Sequence, residues 1–170
     1  MTRPWLKPFE VTSPEDTVIV VHRVFDAPPD RVWRAMTEPE HLRRWLGAAD
    51  FPLTTCRMDV RVGGTYRWVF THAGSGDTMG VSGTYDEVTR PNRLVAIEKF
   101  DDLPGPSVNT LLLAAAGSAQ TSMSLTVRYP DRETRDHWLR SGMTSGLSKG
   151  YERLDELLAA LDQPRDPPPA

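Results

Sequence analysis

The stretch FDAPPDRVWRAMTEPEHLRRWLG, from Phe25 to Gly47, decides how the chain folds. It follows a run of β-branched residues, Thr17–Phe25, that is typical of a strand. Proline disfavours the α conformation at the residue before it but suits the first turn of a helix, so Pro39 divides the stretch. The pattern therefore predicts two short helices after the first strand, Pro29–Thr37 and Pro39–Leu46.

Beyond these helices, the sequence changes to short β-type segments that are separated by glycine and proline. Together with the first strand they predict about six or seven strands. In the segment TYRWVFTH the side chains of Tyr66, Trp68 and Phe70 fall on one face, because strand side chains alternate, and we expect that face to be buried. Strands and helices do not alternate as in a parallel α/β protein. The order predicts an α+β fold with an antiparallel meander.

The longest helical pattern is Asp131–Leu161, with Asp131 as its expected N-cap and an apolar stripe directed at the sheet. Three glycines in it, Gly142, Gly146 and Gly150, lie four residues apart on one side. Each costs the helix roughly 1 kcal/mol relative to alanine. Either the helix backbone packs closely there, or the missing side chains leave room for a ligand.

The composition indicates one folded domain: 170 residues, 39% hydrophobic and 25% charged, with a formal net charge of -3. We expect a loose segment over residues 1–16, a single domain over residues 17–162 and a disordered, proline-rich tail over residues 163–170. The N-terminal residues lack the apolar core of a signal peptide, and no run is long enough to span a membrane. With Cys56 as the only cysteine, these features predict a cytoplasmic protein without membrane insertion.

Charge and motifs point to neither nucleic acid, nor a metal, nor a cofactor. The 20 basic and 23 acidic residues are mixed, so no positive field exists to hold a phosphate backbone. The four histidines and Cys56 show no metal-ligand spacing, and phosphate loops and GxSxG nucleophile motifs are missing. We therefore assign no catalytic residue and no cofactor, and expect a binding protein rather than an enzyme.

Carboxylates on neighbouring candidate strands are the remaining acid or base candidates. Asp86 and Glu87 are expected to be exposed to solvent. Glu98 lies in the otherwise apolar run LVAIEKF and faces either solvent or a dry cavity, where its pKa would rise. Arg67 or Arg128 is a candidate partner for it.

These segments resemble the START-like, helix-grip superfamily, also called SRPBCC. Within it, they resemble the group similar to the C-terminal domain of the activator of heat-shock protein 90 ATPase. The likeness rests on the Phe25–Gly47 stretch, on MDVRVGGTYRWVF and GTYDEVTRPNRLV, and on SGMTSGLSKGYERLDELLAAL at the end. It implies a curved antiparallel sheet around a long C-terminal helix, with a cavity between them that suits lipids, polyketides or other apolar molecules.

Three hypotheses for function follow from the resemblance. The first is non-enzymatic binding of a small, largely apolar ligand, as a carrier or sensor. The second is an enzyme of cyclase or aromatase type that acts on a polyketide-like substrate. The third is a chaperone-interacting module, although this chain is too short to hold the additional N-terminal domain of the full-length activator. A homodimer is left open.

For the ligand hypothesis we predict which residues line the cavity. They come from the aromatic strand face, from the carboxylate in LVAIEKF and from one side of the last helix. They are Tyr66, Trp68, Phe70, Tyr85, Glu98, Gly142, Met143, Gly146, Leu147 and Tyr151.

Overall fold

A computed structural model describes residues 9–162 as one eight-stranded antiparallel sheet with four helices. The strands are β1 (Glu10–Thr12), β2 (Val18–Phe25), β3 (Leu53–Met58), β4 (Thr65–Thr71), β5 (Thr78–Thr89), β6 (Arg93–Phe100), β7 (Ser107–Ala115) and β8 (Thr121–Arg128). The helices are α1 (Pro29–Thr37), α2 (Pro39–Trp45), α3 (Arg132–Arg140) and α4 (Met143–Leu161). Across the sheet the order is β1-β2-β8-β7-β6-β5-β4-β3. This is the predicted α+β helix-grip architecture, with slightly more strands than expected.

The boundary predicted at Pro39 is confirmed. Helix α1 ends at Thr37, Glu38 is extended with φ -96° and ψ 122°, and α2 begins at Pro39. The indole N–H of Trp45 donates a 2.8 Å hydrogen bond to the carbonyl oxygen of Ala35, which ties α2 to α1. The two small helices therefore form one buried unit against the sheet.

The N-terminal segment departs from the prediction. Residues 10–12 form β1, which pairs with β2 from Glu10 opposite His22 to Thr12 opposite Val20. The buried guanidinium of Arg135 donates to the Ser13 hydroxyl and to the Glu15 carbonyl, so the residues after β1 are also held in place. The expectation of a loose segment is wrong here. Its remainder at residues 1–8, like the tail expected at residues 163–170, lies outside the described residues.

The C-terminal helix is also different from the prediction, because it is two helices rather than one. Asp131 caps α3 as expected, accepting a 2.7 Å hydrogen bond from the Thr134 N–H, which keeps the pKa of Asp131 below its usual value. Gly142 has a φ of 83°, in the left-handed region that favours glycine, and lies between α3 and α4. The apolar stripe continues past Gly142, so the sequence pattern predicts one continuous helix and does not indicate the break.

Polar contacts hold helix α4 in place, one to the sheet and one to the end of α2. Arg23 on β2 forms an ion pair with Asp155 of α4. The Nε of Arg153 donates a 3.0 Å hydrogen bond to the carbonyl oxygen of Trp45, at the end of α2. Gly150 is buried beside that same carbonyl oxygen, but a Cβ there would lie 3.6 Å from it, an ordinary van der Waals distance, so the packing does not require a glycine. Within residues 9–162, no helix combines the length and apolar character needed to cross a membrane.

One row across the sheet needs a glycine. Tyr66 on β4 is opposite Gly83 on β5, and Gly83 is opposite Glu98 on β6. A Cβ built at Gly83 would overlap the Tyr66 ring, because that ring crosses the strand to reach Glu98. The missing side chain is therefore a condition for the contact between β4 and β6.

We predict that Gly83→Ala lowers the melting temperature, with a loss of about 1–3 kcal/mol, because a rigid ring must move out of its position. The matched control is Gly146→Ala in α4, where no atom lies within 4 Å of the added Cβ. That variant should be more stable by up to about 1 kcal/mol, from helix propensity alone. Thermal unfolding followed by circular dichroism measures both. Equal melting temperatures for the Gly83 variant and the wild type would contradict the position of the Tyr66 ring over Gly83.

Candidate functional site

A chamber of about 290 Å³ lies between the inner face of the sheet and the helices. This is close to the lower end of the volumes of small-molecule sites, roughly 300–1,000 Å³. Strands β3 to β8 and all four helices contribute side chains to its wall, and most of them are aliphatic or aromatic.

The structure places most of the predicted cavity residues in this wall. They are Tyr66, Trp68, Phe70, Tyr85, Glu98, Met143, Leu147 and Tyr151. Gly142 and Gly146 do not line the chamber, which corrects the prediction for these two positions. The reason is helical geometry: Met143, Leu147 and Tyr151 lie four residues apart on the face of α4 that meets the chamber. Gly146 is exposed and faces open space.

Several lining residues were missed by the sequence reasoning. They include Phe100, Ser107, Asn109, Tyr129 and Trp138. Alternation was the available signal on β6, since Leu94, Ala96, Glu98 and Phe100 all line the chamber. Trp45, at the end of α2, is 6% exposed and also borders the chamber.

Aromatic rings form a continuous wall around Tyr66. The ring centroid of Tyr66 lies 4.6 Å from that of Trp68 and 5.1 Å from that of Tyr85. On the side of α3, the centroids of Phe100 and Trp138 are 4.6 Å apart. Such rings present a large apolar surface of fixed shape to a ligand.

A polar cluster interrupts this wall on the sheet. The Tyr66 hydroxyl donates a 2.6 Å hydrogen bond to Oε2 of Glu98. Glu98 is directly opposite Ser107 on β7, and Asn109, two residues further along the same face, also hydrogen-bonds the carboxyl. The Ser107 hydroxyl donates to Oδ1 of Asn109 at 2.9 Å. Sheet register therefore gathers four polar side chains at one place in an apolar wall.

Burial raises the pKa of Glu98 above its ordinary value, although the hydrogen bonds from Tyr66 and Asn109 act in the opposite direction. No lysine, arginine or histidine occurs among the described residues that line the chamber. The two candidate partners lie elsewhere: Arg67 pairs with Asp101 at 2.7 Å, and Arg128 pairs with Glu15 at 2.9 Å. Neither candidate arginine therefore pairs with Glu98.

The other titratable groups near Glu98 are tyrosines. Desolvation, together with the neighbouring carboxyl, raises the pKa of Tyr66, Tyr85 and Tyr129, so these hydroxyls stay protonated through neutral pH. Asp86 and Glu87 are exposed as expected, and Glu87 pairs with Arg93.

Two polar atoms in the wall have no hydrogen-bond partner among the described residues. They are the indole nitrogen of Trp68 and the hydroxyl oxygen of Tyr85, both of them buried. Leaving such a group unpaired costs about 1–3 kcal/mol. Over residues 9–162, no group of histidine, cysteine, aspartate and glutamate side chains is arranged to hold a metal ion.

Comparison with known proteins agrees with this architecture. A family model described as Activator of Hsp90 ATPase homolog 1-like protein matches residues 26–159. A solved structure of a protein from Rhodobacter sphaeroides is 32% identical, with a TM-score of 0.85, and the match covers 89% of this chain and 98% of that one. No match was found among curated proteins.

Two further solved structures are similar. A protein from Chromobacterium violaceum is 29% identical, with a TM-score of 0.69, over 82% of this chain and 96% of that one. A protein from Mycobacterium smegmatis is 24% identical, with a TM-score of 0.78, over 89% of this chain and 97% of that one. The family model and these structures confirm the predicted family resemblance and fold.

We predict that Glu98→Gln changes how stability depends on pH. The folded chain holds a proton on Glu98 that the unfolded chain releases above about pH 4.5, the ordinary value for glutamate. The wild type should therefore lose free energy of unfolding as the pH rises from there through the folded-state pKa, whereas the glutamine variant does not titrate. The melting temperature of the variant relative to the wild type should therefore increase as the pH rises above about 4.5, until Glu98 is also ionised in the folded chain.

The matched control for this measurement is Glu87→Gln. Its pairing with Arg93 lowers the pKa of Glu87, so that carboxyl is already ionised in both folded and unfolded chains over this pH range. Its difference in melting temperature should stay constant. A constant difference for Glu98→Gln as well would show that Glu98 is ionised in the folded chain.

Proposed function

We propose that this chain, which belongs to the family of Activator of Hsp90 ATPase homolog 1-like proteins, binds a small, largely apolar molecule in the chamber between its sheet and α4. The chamber itself carries the proposal: a space of about 290 Å³ with an aliphatic and aromatic wall. Burial of apolar surface stabilises a ligand there by about 25 cal/mol per Å².

The wall combines fixed and adaptable elements, as a binding site needs. Tyr66, Tyr85 and Trp138 are fixed by ring contacts and by burial in the core. Met143 and Leu147, on the first turns of α4, are only partly buried. Because methionine is flexible and polarizable, Met143 can adjust to ligands of different shape. This arrangement supports a carrier or sensor, acting in the cytoplasm as the single cysteine suggests.

A second candidate function is an enzyme of cyclase or aromatase type. One observation favours it: Glu98 and Tyr85 both line the chamber, so a titratable acid is within reach of a bound molecule. Binding without turnover is the simpler proposal, because a positioned base and a nucleophile would also be needed for most such reactions. Release of a chemically changed ligand by the wild type, and of the unchanged ligand by Glu98→Gln, would favour the enzyme.

The family description names a third activity, activation of the Hsp90 ATPase. That activity would use an external protein surface rather than the chamber. If a variant with a filled chamber still stimulated the chaperone's ATPase, activation of the chaperone would not depend on ligand binding in the chamber.

We predict that Ala96→Trp abolishes binding of the neutral fluorescent probe N-phenyl-1-naphthylamine. Ala96 is 5% exposed and lines the chamber, so the indole would occupy the ligand's space. The matched control is Ile97→Trp, since the adjacent residue is 46% exposed on the opposite face of β6. The dissociation constant from a fluorescence titration should rise at least tenfold for the first variant only.

Circular dichroism establishes that both variants are folded, and Ala96→Leu provides a smaller obstruction if the tryptophan is not tolerated. Two results would contradict the proposal. One is the absence of saturable probe binding by the wild type. The other is equal affinity in a folded Ala96 variant and the wild type.

A further inference from the structure

We propose that the chamber selects a neutral ligand with a hydrogen-bond-accepting oxygen at one end, such as the carbonyl of a ketone, ester or quinone, and that Glu98 donates the hydrogen bond to it. This inference rests on the proposed function and deepens it by naming the chemical class of the ligand. It follows from a count of donors and acceptors in the polar cluster.

The carboxyl and amide oxygens of the cluster already accept hydrogen bonds from within the protein. The Glu98 carboxyl accepts from the Tyr66 hydroxyl and from the Asn109 amide. The carbonyl oxygen of Asn109 accepts from the Ser107 hydroxyl.

Donors, in contrast, are in surplus. Burial raises the pKa of Glu98 and so favours the protonated carboxyl, which is itself a donor. The hydrogen bond between Tyr66 and Glu98 can also run in the opposite direction, with the carboxyl donating to the Tyr66 oxygen. The Tyr66 hydroxyl hydrogen then lacks an acceptor, so the number of unpaired donors is unchanged. The Trp68 N–H and the Tyr85 O–H, in rings that contact Tyr66, add two more donors without partners among the described residues.

Accessibility indicates which donor meets a ligand first. The polar atoms of Trp68 and Tyr85 are covered, whereas Glu98 is only half-buried and borders the chamber. A ligand oxygen therefore reaches the Glu98 carboxyl before the other two groups. Trp68 and Tyr85 become available to it after a small movement of their rings.

Charge excludes an anionic ligand end, and the surplus of donors disfavours an amine. A carboxylate or phosphate would enter a wall whose described residues carry no cationic side chain, and burial of an unpaired charge is strongly unfavourable. An amine would ionise Glu98, but its N–H groups would be further donors beside Trp68 and Tyr85. An acceptor oxygen on an uncharged molecule is the end that matches the cluster.

The test compares two probes of nearly equal shape, 2-acetylnaphthalene and 2-isopropenylnaphthalene, by displacement of N-phenyl-1-naphthylamine. The first has a carbonyl oxygen where the second has a methylene group. At pH 5 we expect the ketone to bind about tenfold more tightly than the alkene, the ratio given by one net hydrogen bond. In a wholly apolar chamber the alkene would bind more tightly.

Glu98→Gln is the control, because its amide NH₂ can still donate at every pH. As the pH is raised, the wild type should lose its preference for the ketone once Glu98 ionises, while the glutamine variant keeps it. The affinity for the alkene should stay constant in both proteins. The titratable side chains that act on Glu98 from β4, β5 and the residue after β8 are Tyr66, Tyr85 and Tyr129, whose raised pKa values keep them neutral over most of this range.

Failure of the inference is distinguishable from failure of the proposed function. Binding of both probes with no preference for the ketone at pH 5 would overturn the inference alone. So would a ketone preference in the wild type that is independent of pH, or tighter binding of 1-(2-naphthyl)ethylamine than of the ketone at pH 7. If the wild type binds neither these compounds nor the fluorescent probe, the proposed function fails and the inference fails with it.

Discussion

The hydrogen bond from Tyr66 to Glu98 is the interaction on which the interior of the protein depends. It connects β4 to β6 across β5, at the one position in that row where Gly83 leaves space for the ring. The bond fixes the Tyr66 ring, which in turn contacts Trp68 and Tyr85. A single glycine therefore allows both the aromatic wall of the chamber and its only described carboxyl to be held in place.

The chamber exists because α4 is held at its sides rather than pressed onto the sheet along its whole length. Arg23 and Arg153 tie its second half to β2 and to the end of α2. Its first turns, at Met143 and Leu147, border the open space instead. The break at Gly142 separates α4 from α3, and both helices contribute side chains to the chamber wall.

Much of this architecture could be predicted from the sequence because it depends on local rules. Pro39 marks a helix boundary through its own ring, and alternation puts Tyr66, Trp68 and Phe70 on one face. The partner of Glu98 could not be predicted, since it depends on the register of three strands. Gly142 was placed inside a helix because the apolar stripe continues past it. Only the backbone shows that it has a left-handed conformation.

The interior described above requires Glu98 to be a neutral acid in a dry, apolar chamber. The most direct measurement is a ¹³C NMR titration of the glutamate side-chain carboxyls, with the Glu98 resonance assigned from Glu98→Gln. We expect that resonance to remain in its protonated position well above pH 4.5, while exposed glutamates titrate near that value. A Glu98 resonance that titrates together with them would mean a solvated carboxylate and would contradict the account.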